Sequence, residues 1–303
     1  MLALSLASVA AADIADLTKL SADERVKLVL QRLEQREKKL NNFSYKLTEQ
    51  SGEVDLENGE RRGFRPDAVT LRRKGGVCCI HKASMATVYR FDGKVLRGIS
   101  TNDPMDIRGT IRENDGRVVA DVFYNHMLGY RMHGDDQVSL SLWLRHQIPA
   151  KKKIEVEADG EDVRVKVVSL PNFYDECFWL SPSRDWMPMK YQTVPANERW
   201  NRITWGEVEE ARQVEGLWVP WKVVRRMRVG ESPDRESRME YEVSEFEIGK
   251  TSDEDLTIDF PPGTTVNDSV RNVIYRVGED GQEQVIRRFR MRRSRANAGG
   301  GAT

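Results

Sequence analysis

The chain has 303 residues, about a third of them charged, and its 48 basic side chains balance its 48 acidic ones. That balance gives no global field drawing it to nucleic acid or to an anionic membrane, and an apolar content of 39% argues against a disordered polymer. The balance is local, however: six arginines and no acids follow from Val285 onward, which leaves a formal charge of −6 on the rest.

Residues 1–12 read as an export signal, with a short apolar run at Leu2–Ala10 and small Ala11-Ala12 before Asp13, although a basic leading region is missing. The other reading is a frayed apolar N-terminus. No other apolar run approaches the roughly 20 residues of a membrane span. Ser21–Leu40 is the clearest helix: Ser21 followed by Glu24 forms a capping-box pattern, and Val26, Val29, Leu30, Leu33 and Leu40 make one apolar stripe. Asn41-Asn42 ends it, and Phe43–Gln50 alternates as a first strand.

Polar, turn-rich Ser51–Arg65 precedes strands at Ala68–Lys74, Gly76–Lys82 and Thr87–Phe91, then an Asp92-Gly93 hairpin turn and Lys94–Ile99. Ser100–Gly116 reads as a loop. Val119, Val122, Phe123, His126, Met127 and Tyr130 recur at helical spacing, so one or two short helices are expected within Val118–Met132 and Gln137–His146. Ile154–Ala158, Asp159-Gly160 and Val163–Leu170 form a second hairpin.

From Tyr174 to Phe260 the strands are long. In Gly216–Gly230, Leu217, Val219, Trp221, Val223, Met227 and Val229 share one parity, a sustained period-two pattern with one apolar face. Asp185–Val194 places Met187, Met189 and Tyr191 on one parity, and Trp200–Glu210 follows it. In Ser237–Gly249 the apolar phase slips between Val243 and Phe246, as a β-bulge would cause. Pro261-Pro262-Gly263 stops the sheet, and Thr264–Val277 adds a short strand pair.

Catalytic motifs are missing: there is no GxSxG, HExxH, P-loop or GxGxxG, and no metal-ligand spacing among His81, His126, His133 and His146. Glu207, Glu209 and Glu210 fit a solvated strand end. Cys78 and Cys79 point to opposite faces, so at most one could meet Cys177; three buried thiols are the simpler expectation. Two Asn-x-Ser sequons occur, at Asn42 and Asn267. The arginines of 287–295 either touch anionic lipid or phosphate polymers or, more simply, form a solvated end.

Six of the seven tryptophans fall between Trp179 and Trp221. Packing accounts for most of them, but a curved sheet lined by Met187, Met189, Tyr191, Leu217, Val219, Trp221 and Val223 would also hold an acyl chain, because Met and aromatics make adaptable apolar walls. Arg225 falls on the same apolar parity, as a rim residue, a latch for a covering helix, or the mark of a register change.

The order of these pieces resembles a family. A helix and an "NFSYKLTEQ" strand, hairpins such as "VYRFDGKVLRG", a helical middle and the run "FWLSPSRDWMPMKYQTV … ITWGEVEEARQVEGLWVPWKVV … EYEVSEFEIG" are similar to the outer-membrane lipoprotein-sorting, LolA/LolB-like superfamily over roughly Leu20–Gly278. "FPPGTTVNDSVRNVIYRVGEDG" resembles an extension of large bacterial relatives. The resemblance implies a strongly curved antiparallel sheet, an incomplete barrel of mainly-β α+β class, covered by the N-terminal helix and the short middle helices. It also implies a cofactor-free carrier of lipid or acylated lipoprotein, exported to the periplasm or secreted, with an envelope membrane protein as a further partner.

The resulting expectation is a leader-like segment over 1–12, a half-barrel over 20–260, a strand extension over 261–284 and a disordered tail over 285–303. The function expected is noncatalytic binding of a lipid, acyl chain or lipidated protein, with no catalytic or metal site and no specific nucleic-acid partner. The alternative is an envelope structural or signalling module whose core is filled by its own side chains.

Overall fold

The computed structural model describes residues 14–92, 94–101, 107–113, 124–133, 136–150, 152–168, 174–195, 202–230 and 234–289. The leader-like segment and residues 290–303 of the tail lie outside them. Helix α1 (Ala22–Lys39) starts where the capping box places it: the Ser21 backbone N–H and hydroxyl both donate to Glu24 Oε2, at 2.9 and 2.6 Å. Acids in its first turn and Arg36, Lys38 and Lys39 in its last suit the helix dipole.

Two long strands follow, β1 (Asn42–Asp55) and β2 (Arg61–Lys74), so the polar stretch expected as turns is mostly the far end of a hairpin. Next come β3 (Val77–Lys82), β4 (Thr87–Phe91), β5 (Val95–Ser100) and β6 (Arg108–Glu113). The sequence predicts a loop at β6; its single apolar side chain, Ile111, hides the strand. Gly109 belongs there because a Cβ would stand 2.7 Å from Phe260 and 2.8 Å from Val266, both distant in sequence.

The middle holds two short helices as expected, α2 (Tyr124–Leu128) and α3 (Leu140–Gln147), but a small hairpin of β7 (Tyr130–His133) and β8 (Asp136–Ser139) lies between them. Strands β9 (Lys153–Asp159), β10 (Asp162–Val168), β11 (Tyr174–Ser181), β12 (Met187–Pro195), β13 (Arg202–Val214), β14 (Leu217–Val229) and β15 (Arg235–Ile248) then form an antiparallel series. The extension supplies β16 (Thr265–Asp268), β17 (Val273–Val277) and β18 (Glu283–Arg288). Strand β18 therefore carries the ladder beyond residue 284, into the stretch expected as tail.

All of these but β7 and β8 join one open, curved sheet in the order β18-β17-β16-β6-β5-β4-β3-β2-β1-β15-β14-β13-β12-β11-β10-β9. Strand β15 closes on β1, which makes the chain's beginning the middle of the sheet. The expected bulge is present: Lys46 pairs with Glu245 and Leu47 with Val243, leaving Ser244 as the extra residue. One pair is parallel, β6 with β16. The parallel pairing follows from the connection, since residues 251–262 cross the outer side of the sheet before β16 begins. Asn42 holds the start of this strap, donating to the Thr251 carbonyl and accepting from its N–H, both at 3.0 Å.

Two cores result, on opposite faces. The main one packs α1, α2 and α3 on the concave side, where Phe43 stacks on Phe246 (5.7 Å) and Trp143 meets Phe178 edge-on (5.8 Å). The outer one lies under the strap, where Leu256 and Ile258 cover Cys79. Cys78 belongs to the main core and Cys79 to the outer, as alternation requires, and all three cysteines are free and buried. None of the described helices is long and apolar enough to cross a membrane.

Candidate functional site

The concave interior beneath the helices is the candidate site. Tyr191 is buried against Phe178 at 5.2 Å, and its hydroxyl donates to Glu176 Oε2 at 3.2 Å. Leu217, Val219 and Val223 lie in the main core with essentially no exposure. Trp221 is half-buried against that core, with the Arg212 guanidinium 4.2 Å from its ring. These five residues therefore share one wall.

Met187 does not join them. Trp179 pairs with Lys190 but Leu180 with Pro188, so Met189 is an extra residue in β12. Cross-strand partners share a face, which puts Tyr191 and Pro188 on the concave side and Met187, opposite Ser181, on the other. Met189 sits at the bulge, with Arg184 Nη1 donating to its sulfur at 3.4 Å. Parity would group Met187 with Tyr191 only in an unbroken strand.

Arg225 lies across the concave face in a row with Tyr191, Gly206 and Met239, and its Nη1 approaches the Met239 sulfur at 3.3 Å. It is half-buried, so the apolar parity is interrupted by a charged side chain rather than by a register change at that point.

The covering helices are tied down by polar contacts the sequence did not reveal. Glu37 of α1 accepts from the Ser141 N–H at 2.8 Å and from its hydroxyl, which anchors the start of α3. Burial raises the Glu37 carboxyl above its ordinary 4.5, against those hydrogen bonds. Arg145 Nε donates to Glu34 at 2.9 Å. Helix α2 reaches the sheet through Asn125, whose Oδ1 accepts from the buried Tyr45 hydroxyl at 3.0 Å. The Asn125 Nδ2 is buried and has no hydrogen-bond partner among the described residues.

Also beside the C-terminal end of α1, Asp185 and Trp186 both have positive φ, 55° and 58°. Such a pair of L-residues is strained. The turn is held by the Trp186 N–H on the Ser181 carbonyl (2.8 Å), by Asp185 accepting from the Trp218 N–H (3.2 Å), and by Lys39 3.6 Å away. It borders a depression of about 160 Å3.

Burial pushes the Cys78 thiol up to about 11 and raises Cys79 and Cys177 as well, so none is a ready thiolate. Glu207, read as a solvated carboxylate, accepts from Arg226 Nη1 at 2.5 Å. Among the described residues no group of three His, Cys, Asp or Glu side chains converges to hold a metal ion.

No family model matches the chain, and no curated protein matches it. Among solved structures, a LolA superfamily protein from Nitrosomonas europaea is similar at 11% identity and a TM-score of 0.46, over 79% of this chain and 99% of the other. A DUF1329 family protein from Desulfovibrio piger is similar at 9% identity and a TM-score of 0.46, over 77% of this chain and 97% of the other.

Proposed function

We propose that the protein is a noncatalytic binding protein that takes a lipid, acyl chain or lipidated protein between its covering helices and the concave sheet. The observation that carries this reading is the construction of the interior. An apolar wall on the concave side, broken by Arg225, is covered by α1, α2 and α3, of which α2 has only five residues. A helix that short has little stability of its own, and its hydrogen bond to Tyr45 leaves the Asn125 amide nitrogen without a partner among the described residues. Displacing it would let that nitrogen meet water and open apolar surface to an acyl chain. The leader-like N-terminal sequence supports a setting in the periplasm or outside the cell, where an acylated lipoprotein and an envelope membrane protein are suitable partners.

A second reading rests on an equally specific observation. Val219, Val223 and Leu217 are already packed by the protein's own side chains, as in a structural or signalling module with a filled core. Two experiments separate the two. Native mass spectrometry of protein purified from its own cells shows a co-purifying lipid or acylated peptide under the first reading and a bare mass under the second. Uptake of a fluorescent fatty acid by wild type, lost in Trp221→Glu with circular dichroism retained, supports the binding wall; no uptake by wild type favours the filled scaffold.

A further inference from the structure

Two of the crowded tryptophans turn away from the interior. Trp179 pairs with Lys190, Lys190 with Glu207, and Gln192 with Trp205. This is the face opposite Phe178 and Tyr191, on the outside of the sheet. Here the side chains of Trp179, Lys190, Gln192, Trp205, Glu207 and Arg228, with the exposed Ile203 beside Arg228, border a trough of about 450 Å3. Its floor is the backbone seam of β12 and β13.

The aromatic walls are fixed before any ligand arrives. The Trp179 indole N–H donates to Asp159 Oδ2 at 2.8 Å. The Arg228 guanidinium lies 5.1 Å from the Trp205 ring and donates to the buried Glu236 at 3.2 and 3.3 Å. Fixed rings reduce the ordering cost of binding. With β12 between their strands, the two walls stand about 10 Å apart, room for an oligomer rather than a single small ring.

Between the walls runs a polar strip: an ammonium, an amide and a carboxylate. That combination selects among ligand classes. An acyl chain would cover the strip without satisfying it. A polyanion would meet Glu207. A pyranose ring has apolar C–H faces to lay on indole and hydroxyls at its edges that both donate and accept, which matches the strip group by group.

We propose that this outer trough binds an oligosaccharide of pyranose units, independently of the concave interior. The test is titration of the full chain with the neutral hexamers chitohexaose, cellohexaose and mannohexaose, followed by calorimetry and tryptophan fluorescence. Saturable binding of at least one is expected, with Trp179→Ala and Trp205→Ala each raising Kd about tenfold or more. Should either variant lose its circular dichroism spectrum, Gln192→Ala, which removes only one hydrogen-bonding group, is expected to raise Kd severalfold. Failure of all three sugars to bind at millimolar concentration, or binding undiminished by these substitutions, overturns the proposal. Fatty-acid uptake by the same variants should be unchanged, so the two sites fail separately.

Discussion

Burial of the Glu37 carboxylate against α3 has a cost that depends on pH. Its folded value is raised above 4.5 chiefly by desolvation, so over the interval above 4.5 the folded state keeps a proton that the unfolded chain releases. Stability from this group is therefore greatest at low pH, falls as pH rises through that interval, and is flat above it. Glu37→Gln removes the titration while keeping one acceptor for Ser141. Urea midpoints measured at about pH 4 and about pH 7 should show the Gln variant gaining on wild type with rising pH; a constant difference would mean that Glu37 is not buried in solution. Sequence could not identify this residue, because Glu37 reads as one more charge on a solvated helix face. What buries it is a helix more than a hundred positions away. Cys78 and Cys79 were legible for the opposite reason: adjacency on a strand dictates opposite faces whatever packs there.

At the level of elements, alternation is decisive wherever the strand is regular and misleads where it is not. The slip in β15 announced itself, because Val243 and Phe246 are both large and both buried, and only an extra residue reconciles them. The slip in β12 did not, since Met187, Pro188 and Met189 are all plausible on either face. A test follows from Ser244. Deleting it brings Tyr241, Val243, Phe246 and Ile248 into strict alternation against Tyr45 and Phe43, losing the hydrogen bond from the Ser244 hydroxyl to the Lys46 carbonyl (3.2 Å) and some local bend. The deletion should keep the fold at a cost of about 1–2 kcal/mol. Deleting Ser44 from the regular strand β1 forces either Phe43 or Tyr45 out of the core and should abolish soluble expression. Thermal melts of the two deletions decide; equal damage would mean that the bulge itself is required.

The whole molecule is a sheet that changes which face it buries, and this was the least legible feature in the sequence. The half-barrel could be read because its apolar faces are long and local. The extension could not be joined to it, because Phe260, Val266 and Tyr275 make sense only opposite Ile111, in a strand that looks like a loop. No described residue beyond Ile248 enters the main core, so the two parts should separate energetically. Within the extension, Arg271 clamps the buried Asp268 from its backbone N–H at 2.9 Å and through its guanidinium, and grips Glu283 with two bonds of 2.8 Å. Replacing Arg271 by Ala strands Asp268 without its charge partner. The penalty is about 1–3 kcal/mol, below that of a wholly buried pair because Arg271 itself is half-exposed. Hydrogen exchange should then quicken at Val273–Val277 while amides of β1 and β15 keep their protection. Removing residues 263–303 goes further, baring Phe260, Ile111 and the unpaired edge of β6, so the shortened chain should keep its near-ultraviolet spectrum but self-associate in light scattering. Loss of the spectrum, or faster exchange in β1 on substitution of Arg271, would show that the outer core supports the inner one and that the chain folds as a single cooperative unit.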